Sequence, residues 1–405
     1  MVMKYVFILG RNPTLSVAEI IARVPGEVAH LSREALVLKH EGAFDGRALM
    51  NELGGTIKIG EVKATLQNPA ELVTALVADL VALGKERKLF FGISLYPLEA
   101  GMKPEHVIRL QELGITVKRA LETGGVATRF VRSRENALSS VVVAKNKLLT
   151  RGVEFLVLVG RDRIVVATTS AVQSFEEFSF RDYGRPARRM AVGLIPPKLA
   201  RAMVNLARAP KNAVVLDPFC GFGTVATEAM LMGYQNLIAS DIEAQAVEDV
   251  QKNIAWIHSH YPEARTIAPK ILQSPAEAIA KKLAPSSVDA IVTEPYLGPV
   301  LHGKERPALI QKIIRELSAL YVSAFRDWKK ILKPDARVVI VFPVLGRGEY
   351  LPILEDLTNL GYRREELVPD QLRPNAAELT KRGSILYSRP GQKVMRELFV
   401  FTLKT

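Results

Sequence analysis

The sequence predicts two folds in series, an α+β amino-terminal half and an α/β carboxyl-terminal half. Hairpin and strand signals mix with helices before residue 172, short apolar runs separated by helical stretches follow residue 190, and a glycine loop joins the first of those runs to a helix. At 405 residues the chain exceeds one ordinary domain of roughly 150 residues. Hydrophobic residues make up 48% and charged ones 24%, a balance that fills cores and argues against disorder.

In order along the chain, Tyr5 to Leu9 reads as a strand, and Ser16 with Glu19 forms a capping-box pattern ahead of Val17, Ile20, Ile21 and Val24 at helical spacing. Asn68 and Pro69 open a second helix with Leu72, Leu76, Leu80 and Leu83 on one face, and Leu89 to Tyr96 is β-rich. Asn136 is placed to cap a third helix carrying Leu138, Val141, Val142, Leu148 and Leu149. A hairpin, Val153 to Val159 and Arg163 to Thr168, closes this half. The arginine-rich segment 173–190 reads as a linker. Beyond it Val214 to Leu216, Asn236 to Ser240, Asp289 to Thr293 and Arg337 to Phe342 have the character of parallel strands buried on both faces.

Composition narrows the function. Arg11, Glu19 and Arg23 interrupt the apolar start well before a span of ~20 residues, so a cytoplasmic protein without membrane association is expected. Cys220 is the sole cysteine, which excludes an internal disulfide and a multi-cysteine zinc site; it reads as a packed small residue. None of the six histidines has ligand spacing, and no metal is expected. A formal charge of +13 favours a polyanionic partner, because basic side chains release counterions from phosphates. Candidate contacts are Arg132 and Lys145 around the third helix, the cluster Arg185, Arg188 and Arg189 with Arg181 and Tyr183, and the carboxyl-terminal Lys381 and Arg389, grouped with Arg382, Lys393 and Arg396.

The glycine loop lies in VVLDPFCGFGT, Val214 to Thr224. Gly221 and Gly223 let backbone approach a ligand, and the helix start offers free amides. A second strand ends at Asp241, where an acid can bind ribose hydroxyls; a helix cap is the alternative for Asp241. A nicotinamide dinucleotide is disfavoured, because the loop lacks a third glycine and Asp217-Pro218-Phe219 precedes it.

This Asp-Pro-Phe-x-Gly-x-Gly-Thr loop resembles the first motif of amino-group methyltransferases that use S-adenosylmethionine. The resemblance implies that Asp217, Gly221, Gly223 and Thr224 surround the methionine end, that Asp241 holds the ribose, that Phe219 and Ile242 join the cofactor site, and that Ser274 or Gln273 contacts adenine. Glu294-Pro295-Tyr296 stands where the family places Asp or Asn, Pro, Pro, then Tyr or Phe. Glu294 and the Pro295 carbonyl would accept the two hydrogens of a poorly nucleophilic amine, and Tyr296 would stack on the extruded base; a second register puts Thr293 in the acid's place. YVFILGRNPTLSVAEI, RFVRSRENALSSVVVAKNKLL and GRPARRMAVGLIPPKLARAMVNLA extend the likeness to the THUMP-containing tRNA guanine-N2 methyltransferases of archaeal type that act near position ten. It implies a ferredoxin-like domain (1–62), a THUMP-like RNA-binding domain (63–172), the linker (173–190) and a Rossmann-like seven-stranded methyltransferase domain (191–405) in a monomer that methylates guanine N2 of tRNA. The alternative is a non-catalytic or differently targeted RNA-binding protein of the same fold, its motif at Glu294 degenerate.

Overall fold

The computed structural model describes residues 1–84, 88–188, 194–346, 348–389 and 392–404. It divides into two compact units, residues 1–176 with 374–376, and 177–373 with 377–405.

The first unit runs β1 (Val2–Leu9), α1 (Pro13–Arg23), β2 (Glu27–Leu31), β3 (Ala35–Glu41), α2 (Gly46–Glu52), β4 (Thr56–Leu66), α3 (Leu72–Ala82), β5 (Leu89–Pro97), α4 (Leu110–Thr123), β6 (Thr128–Val131), α5 (Ser140–Lys145), β7 (Gly152–Val159) and β8 (Ile164–Val172). All eight strands form one sheet in the order β2-β3-β1-β4-β8-β7-β5-β6. The expected boundary between residues 62 and 63 falls inside β4, which pairs with β1 on one side and β8 on the other. Asn68 caps a short 3-10 turn, Pro69–Glu71, that leads into α3, accepting from the Ala70 amide at 2.9 Å, and Leu72, Leu76 and Leu80 are buried, whereas Leu83 lies past the last turn and is exposed.

Two local expectations are corrected. Ser16 and Glu19 form no capping box: α1 starts at Pro13, and both side chains are buried within it. Ser16 donates to the Gly55 carbonyl at 2.7 Å, and Glu19 accepts from the Gly54 and Gly55 amides, each at 2.8 Å, so the pair anchors a distant turn. Asn136 caps nothing; Ser139 Oγ accepts from the Val142 amide at 3.3 Å and starts a short α5. The longer helix α4 escaped the sequence pattern because Gly114 interrupts it, and Gly114 is required there: a Cβ would come within 2.2 Å of the Phe130 ring.

A charge pair is sealed in this sheet. Lys58 on β4 donates to Glu154 on β7 and, at 2.6 Å, to the Leu138 carbonyl, while Ser94 and Thr169 donate to Glu154 at 2.6 and 2.7 Å. Burial lowers the Lys58 pKa, opposed by the attraction of Glu154.

The second unit contains α6 (Phe175–Tyr183), α7 (Pro197–Leu206), β9 (Val214–Asp217), α8 (Thr224–Leu231), β10 (Asn236–Asp241), α9 (Ala244–His260), β11 (Lys270–Gln273), β12 (Val288–Thr293), α10 (Pro307–Trp328), β13 (Leu332–Val344), α11 (Leu354–Asn359), β14 (Tyr362–Arg364), β15 (Ile385–Tyr387) and β16 (Met395–Leu403). The main path of its sheet is β11-β10-β9-β12-β13-β16-β14, with β15 paired to β16. Strands β9 to β13 are parallel and β16 runs antiparallel to β13. Helix α10 buries Ile310, Ile313, Ile314, Leu317, Tyr321, Phe325 and Trp328 in the core. Strand order reverses between β9 and β12, so their carboxyl ends form the crevice where such sheets bind ligands.

Residues 175–183 of the segment expected to be a linker fold as α6. Arg181, from α6, and Arg201, from α7, both grip the buried Glu228 of α8, at 2.7 and 2.8 Å, with Phe178 packed against both guanidinium groups. These arginines are framework rather than surface. Among the described residues, no helix is long and apolar enough to cross a membrane.

Removing one member of a buried charge pair costs about 3–5 kcal/mol, whereas replacing both by apolar groups of similar volume is often neutral. Lys58→Met should therefore lower stability by that order in urea unfolding, and Lys58→Met combined with Glu154→Leu should recover most of the loss.

Candidate active site

The glycine loop leaves the carboxyl end of β9 and enters α8. Gly221 and Gly223 have φ of +50° and +75°, the left-handed region that glycine adopts without strain. A Cβ on Gly221 would meet nothing, so the loop's surface is open there, whereas one on Gly223 would come within 2.2 Å of Val250. Asn253 of α9 locks the loop from behind, donating to the Phe222 carbonyl at 2.8 Å and exchanging two hydrogen bonds with Ala187, each at 3.0 Å. Asp241, at the end of β10, accepts from the Gly221 amide at 3.0 Å and from the Glu243 amide at 3.1 Å. It thus braces loop and helix entry together, and its half-buried carboxylate keeps lone pairs for further donors. Beside it the apolar Ile242 is 60% exposed, and Phe219 is half-buried at the loop. An acid next to an exposed aliphatic side chain suits a ribose joined to a flat base.

Asp217 is buried and accepts from Thr293 Oγ1 at 2.7 Å and from the Phe219 amide at 3.3 Å. Burial pushes its pKa up to about 7; those two hydrogen bonds work against the rise, and the charges of Asp241 and Glu294 add to it. A carboxyl so poised can neutralise a cation brought into the loop. Cys220 is buried, and burial raises its thiol well above the usual range.

At the end of β12, Glu294 turns onto a residue that sequence reasoning placed on the surface. Arg396 of β16 is buried; its Nε donates to Glu294 Oε2 and its Nη2 to Oε1 at 3.1 Å. Its position in β16, beside Glu397 and directly ahead of the apolar run Leu398 to Phe401, is the signal that could have found it, since a charge there needs a buried partner. Pro295 is buried, while Tyr296 is 56% exposed with its carbonyl held by the Tyr321 hydroxyl at 2.6 Å. The charge of Glu294 is felt at both Asp217 and Tyr321, so the glycine loop and the Glu-Pro-Tyr turn share one site. Among the described residues, no group of three or more His, Cys, Asp or Glu side chains could hold a metal.

Other expected contacts lie differently. Ser274 is buried and its hydroxyl donates to the Pro275 carbonyl at 3.1 Å, leaving Gln273 as the exposed side chain at the end of β11. The Thr224 hydroxyl accepts from Arg185 Nη1 at 2.5 Å. That burial withdraws Arg185 from any polyanion-binding face, because its guanidinium lies under the loop. Arg188 is half-buried against the Tyr183 ring, and Arg189 lies outside the described residues. Arg132, Lys145, Lys381 and Arg389 are exposed. Lys381 lines an open cleft of about 530 Å³ with Arg363, Arg364, Arg373, Arg382 and Lys404.

With the geometry in place, the likeness to known proteins is specific. The UPF0020 family model, an RMKL-like methyltransferase domain, matches residues 185–344. A tRNA (guanine(10)-N2)-dimethyltransferase of Methanothermobacter thermautotrophicus is 35% identical over 139 residues, 34% of this chain and 37% of that protein. Another protein of that name, from Methanocaldococcus jannaschii, is 35% identical over 141 residues, 33% of this chain and 39% of its own length. The matched regions thus span under two-fifths of these relatives. The crystal structure of TrmN from Thermus thermophilus superposes with a TM-score of 0.54 at 17% identity, covering 100% of both chains. The second unit is a Rossmann-like methyltransferase domain in fold.

The Asp217 shift fixes a pH dependence. The pKa is raised on folding from 3.8 to about 7, so the folded state favours the protonated carboxyl; this contribution is complete below about pH 4 and is lost as pH rises through 7. It amounts to at most about 4 kcal/mol at 1.36 kcal/mol per unit. Asp217→Asn should be less stable than the parent at pH 4 relative to its standing at pH 8, where it should gain, as followed by denaturant unfolding of the ligand-free protein at both pH values.

Proposed function

We propose that this protein transfers a methyl group from S-adenosylmethionine to the exocyclic N2 amine of a guanosine in tRNA. The observation that carries this reading is the meeting of the glycine loop with Glu294-Pro295-Tyr296 through the Thr293–Asp217 hydrogen bond. The relatives' shared name supports guanine N2 and tRNA as the acceptor.

S-adenosylmethionine, when bound, supplies a methyl group activated on a sulfonium. Asp217, Phe219, Gly221, Gly223, Asp241 and Ile242 would hold it, with Gln273 rather than Ser274 beside adenine and Thr224 supporting the loop. Glu294 accepts one hydrogen of the guanine amine and the Pro295 carbonyl the other, which directs the nitrogen lone pair along the transfer path. Tyr296 stacks on the extruded base. Thr293 is not the acceptor in this scheme, because its hydroxyl is turned to Asp217. A strong base is unnecessary, since a methylated ammonium loses its proton readily to water.

In the first unit, the β1–β4 portion, with sheet order β2-β3-β1-β4, suits a ferredoxin-like fold, and we assign the α3–β8 portion as THUMP-like. Arg132 and Lys145 there, with Lys381, Arg389 and Arg188 in the second unit, are the proposed phosphate contacts. A second reading, an RNA-binding protein of this fold without turnover, rests on the engagement of both Glu294 oxygens by Arg396.

Single-turnover methyl transfer to tRNA separates the two. Glu294→Ala should slow transfer at least a hundredfold, on the order of a deleted transition-state donor, with cofactor and tRNA affinity nearly unchanged; Glu294→Gln should retain more. Equal rates for Glu294→Ala and the parent would remove Glu294 from the chemistry, and no transfer by the parent to any tRNA would leave the second reading. Lys381→Glu with Arg389→Glu should weaken tRNA binding and flatten its salt dependence without altering cofactor affinity.

A further inference from the structure

This inference rests on the methyl-transfer reading and concerns how its acceptor is held. Glutamate at residue 294 is one methylene longer than the aspartate or asparagine common at that place, and an unrestrained longer side chain would spread its carboxylate over several rotamers. Productive geometry tolerates about 0.5 Å. The buried Arg396 removes that freedom. Arg396 is the register partner of Pro343 on β13, while β12, which delivers Glu294, pairs with the other side of β13. The ion pair therefore straddles the carboxyl end of β13, across two strand spacings of about 4.8 Å each. Long side chains from both strands close that gap.

We propose that Arg396 is a positioning residue for methyl transfer, its two-point grip on Glu294 fixing the carboxylate where a remaining lone pair receives the guanine amine. The planar fork of a guanidinium sets the plane of the carboxylate as well as its place. A carboxylate offers about four acceptor sites, and the fork occupies one on each oxygen, so Glu294 can take an amine hydrogen without releasing Arg396. Arg396 Nη2 also lies 3.4 Å from the Leu194 carbonyl, which ties the grip to the chain entering α7. Glutamate at this position is then a working substitution, because the chain supplies the cation that orients it.

The test is a double-mutant cycle read by single-turnover methyl transfer to tRNA, with cofactor and tRNA affinities measured in parallel. Arg396→Met should slow transfer about a hundredfold, the order expected for a misplacement of about 1 Å, while both affinities hold. Arg396→Lys, which keeps the charge and loses the fork, should recover part of the rate. In the Glu294→Gln background Arg396→Met should cost nothing further. A parental rate in folded Arg396→Met, or the same loss in both backgrounds, would overturn the proposal. Should Arg396→Met fail to fold because Glu294 is left buried and unpaired, the Glu294→Gln/Arg396→Met protein decides alone: a rate equal to Glu294→Gln supports the proposal, and one more than tenfold lower overturns it. Absence of transfer by the parent protein would end the methyl-transfer reading and this inference with it, whereas the outcomes above leave that reading intact.

Discussion

The ion pair between Glu294 and Arg396 is the contact on which the proposed chemistry depends. Two opposite charges are withdrawn from water at the carboxyl edge of the second sheet, with side-chain exposures of 8% and 4%. Such a pair contributes little net stability against apolar replacements but penalises loss of either partner heavily. Its value is geometric: it joins β12 to β16 across β13 and holds the Glu-Pro-Tyr turn in one conformation. The Tyr321 hydroxyl fixes the same turn from α10 through the Tyr296 carbonyl. Tyr296 is left as an exposed ring beside a restrained acceptor, the arrangement needed to receive a flat base.

The cofactor side obeys a complementary constraint. Asp217 stands at the end of a buried strand with too little solvent to ionise easily, and its hydrogen bond from Thr293 ties it to the acceptor turn. Arrival of a cationic ligand would favour the ionised form, so the loop's electrostatics change with occupancy. Behind the loop, Asn253, Arg185 and the Arg181–Glu228–Arg201 cluster are buried polar groups that tie together α6, α7, α8, α9 and the chain between α6 and α7. They make the glycine loop rigid without touching its open face.

Local pattern made much of this legible. Val214 to Leu216, Asn236 to Ser240, Asp289 to Thr293 and Arg337 to Phe342 show their strands because burial on both faces leaves mostly apolar residues. Gly221, Gly223 and Asp241 stand out because a left-handed backbone at the loop and an acid that braces it against the next helix entry demand those types. What the sequence hid is non-local. Arg396 and Arg185 look like surface cations until a partner 102 residues away in one case, and 39 in the other, takes them inside. Ser16 and Glu19 mimic a cap while binding a turn more than 30 residues distant. Helix α4 was obscured by Gly114, whose reason is Phe130 on another element. Spacing cannot reveal a constraint that lies in the fold.

The central proposal is that Glu294 and the Pro295 carbonyl hold a guanine amine in line for methyl transfer from S-adenosylmethionine. Nucleoside mass spectrometry of unmodified tRNA, incubated with the purified protein and S-adenosylmethionine carrying a labelled methyl group, tests it directly. The account predicts label in N2-methylguanosine or N2,N2-dimethylguanosine. Label in a methylated adenosine or cytidine, or none in any nucleoside while S-adenosylmethionine remains bound, would contradict it.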